Sequence, residues 1–65
     1  LIQLISRKIK ILRDAKGLTL EEAYFDTGIH FARIEQGKTN VSITTLSAVC
    51  KYLGISLREF FEDIE

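Results

Sequence analysis

Apolar residues return every three or four positions along the whole of this sequence, and no segment alternates them at two. That spacing lines side chains along one face of a helix, whereas a half-buried strand requires period two, so the chain is expected to be all-α. Ile2, Ile5, Ile9 and Leu12 make the first stripe, widened by Leu4, Ile11 and Ala15, and Gly17 supplies a stop. The first helix is expected over about residues 2–16. Thr19 and Glu22 stand at the spacing of a capping box, where hydroxyl and carboxylate each satisfy a free backbone N–H. A short second helix follows, about 20–25, with Leu20, Ala23 and Tyr24 on one side. Asp26 and Thr27 can accept from the first N–H groups of a third helix, about 28–36, which Gly37 ends. Ser42 caps a fourth over about 43–53, with Ile43, Leu46, Val49, Cys50 and Leu53 turned inward. A second capping box, Ser56 with Glu59, opens a fifth over about 57–63 that carries Leu57, Phe60, Phe61 and Ile64. With no repeat, low-complexity tract or linker, residues 1–65 are expected to form one compact five-helix bundle.

Sixty-five residues bury only about 60% of the surface that the unfolded chain exposes, so stability should be modest. A hydrophobic content of 46% without proline or tryptophan argues for a globular unit rather than disorder. Cys50 is the only cysteine, which rules out an internal disulfide and a cysteine-based metal site and fits a reducing, cytoplasmic setting. Charges interrupt every apolar cluster, so no membrane span is expected. A chain that starts at Leu1 and contains no methionine is expected to be a piece of a longer product. The net charge of zero argues against a basic coat around nucleic acid, but the charge is unevenly spread. Residues 1–16 carry Arg7, Lys8, Lys10, Arg13 and Lys16 against Asp14 alone, an excess of +4. From Gly54 onward Arg58 faces Glu59, Glu62, Asp63 and Glu65, an excess of −3.

The third helix poses the functional question. With Phe31 at the centre of its buried face, Ile34 and Glu35 lie beside it, and Ile29, Ala32, Arg33 and Gln36 point outward. Arginine can bind guanine bidentately, glutamine can read adenine and apolar side chains can touch a thymine methyl, so duplex DNA is one partner for this face. N–H groups at Thr27 and Gly28 could hold phosphate. A solvated face and a protein-docking face fit the same pattern. Glu35 differs, because an inward carboxylate requires a partner, and Arg13, beside the Leu12 core position, is the expected one. His30, Cys50 and the serines are scattered, so no catalytic residue, metal, cofactor or small-molecule ligand is expected.

The segments IKILRDAKGLT, RIEQGKTNVSITTL and AVCKYLGISLREFF, in this order and spacing, resemble the helix-turn-helix DNA-binding domains of the Cro and phage-repressor type. The resemblance covers essentially the whole chain. It implies a five-helix, lambda-repressor-like fold in which helices 2 and 3 form the helix-turn-helix and helix 3 enters the major groove. By position, Thr27 looks like a phosphate-holding residue, Gly28, Ile29 and Arg33 like base-facing ones, and Lys38, Thr39 and Asn40 like a phosphate-binding loop. Arg13 and Glu35 match a buried pair of many members. Ala32 and Gln36 join the expected base-facing set, and Thr19 and His30 the phosphate-facing one. Three departures stand out. The chain between Gly17 and Arg33 is about three residues shorter than the family pattern, implying a tighter helix 2 or turn. Leu20, Glu21 and Glu22 stand where a glutamine is common, and Gly28 and Ile29 replace the usual polar base-reading pair. The expected function is a sequence-specific, non-catalytic DNA-binding regulator that dimerises through Phe60, Phe61 and Ile64 on a palindromic operator. The alternative is a protein-interaction module docking its partner through the helix 3 face.

Overall fold

The computed structural model describes residues 1–62. Five helices follow one another: α1 (Ile2–Ala15), α2 (Leu20–Thr27), α3 (Phe31–Glu35), α4 (Ile43–Leu53) and α5 (Leu57–Phe61), with no strand among the described residues. Their starts are fixed by side chains. Thr19 Oγ1 accepts from Glu22 N–H at 3.0 Å while Glu22 Oε1 accepts from Thr19 N–H at 3.0 Å, and Ser56 and Glu59 repeat the arrangement at the head of α5. The Ser56 N–H holds the Glu59 carboxyl below its ordinary range. Ser42 Oγ accepts from Thr45 N–H at the head of α4. Each such cap satisfies a backbone donor that the helix leaves without a partner.

Every helix contributes to one core: Ile9 from α1, Ala23 from α2, Phe31 and Ile34 from α3, Leu46, Val49, Cys50 and Leu53 from α4, and Phe60 from α5. Burying a side chain such as Phe31 contributes roughly 1.5–3 kcal/mol. Burial also pushes the Cys50 thiol pKa up. Several expected inward positions differ. The buried line of α1 runs through Ser6, Ile9 and Arg13, so Leu4 and Ile11, about half a turn away at 100° per residue, are exposed. Ile43 is 64% exposed because Val41, ahead of the cap, packs against the core in its stead. Phe60, expected at a dimer contact, is fully buried in the core and has no surface to offer a second protomer. Its ring meets Phe61 edge-on at 5.2 Å, and Phe61 remains half-buried. Ile64, expected at the same contact, lies outside the described residues.

Two polar links orient the helices. Arg13 reaches across to α3, donating from Nε to Glu35 Oε2 at 2.8 Å and from Nη2 to Glu35 Oε1 at 3.0 Å, with both side chains only 8% exposed. Its remaining Nη1 donates to the Leu18 carbonyl at 2.6 Å, so one guanidinium ties α1, the α1–α2 turn and α3 together. The Glu35 hydrogen bonds raise the Arg13 pKa. Between α4 and α2, Tyr52 Oη donates to Asp26 Oδ2 at 2.7 Å, which pushes the phenol pKa up to about 12 and keeps it a donor across the neutral range. Gly37 completes the fit: at φ 72° it takes a left-handed turn after α3, and a Cβ there would lie 3.1 Å from Ser6 Oγ on α1.

Removing one partner of a buried pair strands the other charge at a cost of about 3–5 kcal/mol, most of what a domain of this size possesses. Glu35→Ala is therefore expected to be largely unfolded at room temperature by circular dichroism, whereas Arg13→Met combined with Glu35→Leu recovers much of the loss. A melting point for Glu35→Ala within a few degrees of the parent would contradict the role given to the pair.

Candidate nucleic-acid interface

The surface on which DNA recognition was expected begins with the α2–α3 turn, and the structure redraws it. α2 runs two residues further than expected, to Thr27, and α3 begins at Phe31 instead of residue 28. The cause is local. Gly28 takes φ 74°, a left-handed conformation open to glycine, and its N–H donates to the Tyr24 carbonyl at 2.7 Å, closing α2. Thr27 lies within α2, where Oγ1 donates to the Ala23 carbonyl at 2.7 Å and accepts from Ile29 N–H at 3.0 Å. Thr27 and Gly28 thus shape the turn with the groups that had been expected to hold phosphate. Thr19 is likewise engaged, because the Glu22 carboxylate already occupies its N–H. α3 itself is five residues long.

Beyond the turn, Ala32, Arg33 and Gln36 are exposed, while Phe31 and Ile34 are buried and Ile29 is half-buried against the core. Ile29 therefore points outward less than the helical spacing suggested, because it precedes α3 instead of belonging to it. An open groove of about 450 Å³ runs between α3 and the segment leading into α4. Gly28, Ile29, His30 and Arg33 line one side, and Thr39, Asn40, Ser42 and Thr45 the other. The structure thus brings six of the predicted residues together. It leaves Ala32 and Lys38 exposed outside the groove lining, and Gln36 in a separate depression beside Gln3, Arg7 and Lys10 on α1.

Among the described residues, Arg33 is the one charged side chain that lines the groove, and no carboxylate lines it. The acids Glu21, Glu22 and Asp26 line a different depression on α2, around Phe25, which is 88% exposed. The groove consequently offers one fixed cation, several hydroxyl and amide groups and an apolar floor, a chemistry suited to phosphate and base edges. Sequence reasoning missed Tyr24, whose ring stacks on His30 with centroids 4.6 Å apart and 29° between planes, and also Ser42 and Thr45. Their signal is positional: Tyr24 lies six residues before His30, across a turn whose course depends on Gly28. Among the described residues no group of three His, Cys, Asp or Glu side chains gathers as metal ligands do. None of the helices among them is long and apolar enough to cross a membrane.

The sequence profile of the helix-turn-helix family matches residues 9–60. Control protein C.MunI of Mycoplasma sp is 47% identical over 36 residues, which are 55% of this chain and 49% of that protein. The chain thus spans about half the length of this curated relative. No solved structure matches it significantly. The five packed helices, a three-residue turn between the second and third, and the profile match over most of the length agree, and the chain belongs to the helix-turn-helix family of DNA-binding domains of the Cro and phage-repressor type.

Proposed function

We propose that this chain is a sequence-specific, non-catalytic transcription regulator that binds duplex DNA as a symmetric dimer on a palindromic operator. The observation that carries the reading is the groove. It joins the turn and α3, through Gly28, His30 and Arg33, to Thr39 and Asn40 of the following loop, so base-reading and backbone-holding groups share one surface. Family membership supports DNA as the partner, and the word control in the relative's name fits a regulator. Arg33 is the expected bidentate reader of a guanine, and Lys38, exposed on the loop, the expected phosphate contact. Ala32 and Gln36 flank Arg33 as further base-facing side chains. A protein partner on α3 is less well served, since Ile29 already spends much of its apolar surface on the core.

Dimerisation is assigned to the C-terminal helix, where Phe61 keeps part of its ring exposed after packing against Phe60. A two-fold axis there makes an isologous contact, and two copies of α3 about 34 Å apart reach successive major grooves.

Arg33→Ala is expected to cost about 1–3 kcal/mol on the preferred site and to relax preference at one base pair. Lys38→Ala should weaken all sequences alike and make the log–log salt slope shallower by about 0.9. Titrations of labelled duplexes at several salt concentrations decide between them. An Arg33→Ala protein that discriminates among sequences as the parent does would show that Arg33 reads no base. Sedimentation of the parent and of Phe61→Glu should give a dimer and a monomer, with weaker operator binding by the monomer. A parent that stays monomeric at high concentration and still binds one asymmetric site tightly would remove the dimer.

A further inference from the structure

We propose that His30, held by Tyr24, is a proton-linked phosphate contact, so that DNA affinity rises as the imidazole gains its proton. The proposal rests on the DNA-binding reading and adds a residue, Tyr24, and a regulation to it. His30 is the chain's one histidine and is exposed at the rim of the groove that Arg33, Thr39 and Asn40 share. Its ring lies face to face with the half-exposed ring of Tyr24 on α2, at 4.6 Å. A stack of this kind occupies one face of the imidazole and restricts its rotation while leaving the edge accessible, and both ring nitrogens are on that edge. Tyr24 is accordingly a positioning residue: it touches no ligand itself but sets the orientation in which His30 meets one.

The charge of the site changes with the proton. Histidine exchanges its proton within the physiological range. Of the described groups around His30, α2 presents the Tyr24 phenol, α3 presents Arg33, and the loop and the start of α4 present Thr39, Asn40, Ser42 and Thr45, four side chains that carry no charge. A phosphate entering the groove attracts both the Arg33 guanidinium and a protonated imidazole, so binding and protonation favour each other. At low pH the imidazolium adds one phosphate neutralised per protomer; at high pH the neutral ring donates at most one uncharged hydrogen bond.

The test is fluorescence titration of a short mixed-sequence duplex against the parent, His30→Gln, Tyr24→Phe and Tyr24→Ala, at about pH 5.5 and about pH 8 and at several salt concentrations. For the parent, affinity should rise several-fold at the lower pH and the log–log salt slope should steepen by about 0.9 per protomer bound. His30→Gln should lose both changes. Tyr24→Phe, which keeps an aromatic face, should retain them, and Tyr24→Ala should show a reduced response with its helical content intact. A pH response in His30→Gln equal to the parent's overturns the proposal, as does an equal response in Tyr24→Ala and Tyr24→Phe. DNA binding without any pH response leaves the regulator reading standing and removes this one. Failure to bind duplex at either pH removes both.

Discussion

A bidentate ion pair between Arg13 and Glu35 carries the geometry of this small protein. The third helix has only five residues and no side-chain cap at its start, and a helix of that length has no stability of its own in water. Its direction is therefore imposed from outside. Phe31 and Ile34 press one side into the core, and the Glu35 carboxylate is gripped from α1 by a guanidinium that also holds the Leu18 carbonyl. Hydrophobic contact alone would allow a short helix to roll. Two parallel hydrogen bonds to a planar group fix its rotation as well as its position.

That constraint reaches the surface. With Phe31, Ile34 and Glu35 committed inward, Ala32, Arg33 and Gln36 are left as the outward side chains of α3 and its end. On the proposed reading, a recognition element this short concentrates sequence discrimination in very few groups, Arg33 first among them. Backbone affinity must then come from neighbouring elements, the loop after Gly37 and the rim around His30. The same economy explains why the neutral net charge does not argue against DNA. The carboxylates of α2 line another depression, one of them closing a capping box and another accepting from Tyr52, and among the described residues no acid lines the groove itself.

Much of this was readable from local chemistry. The capping boxes at Thr19 and Ser56, the cap at Ser42 and the stops at Gly17, Gly37 and Gly54 are short-range signals that tertiary context did not override. Glu35 could be singled out because an inward carboxylate needs a cation, and one lay on a facing helix. The misplaced start of α3 has an equally local cause. A glycine after two polar residues suits either the beginning of one helix or the end of another, and the left-handed φ at Gly28 chose the end. Other features depend on three-dimensional placement that no periodicity encodes. The replacement of Ile43 by Val41 at the core, the full burial of Phe60, and the Asp26–Tyr52 and Tyr24–His30 contacts all join residues whose proximity follows from helix packing.

The central claim is that the groove between the α2–α3 turn, α3 and the following loop reads double-stranded DNA sequence. Selection of bound molecules from a random duplex pool tests it most directly, since it presupposes no operator. The account predicts enrichment of a palindromic consensus whose half-sites lie about one helical turn apart. A pool that shows no enrichment after repeated rounds with folded protein would contradict the claim.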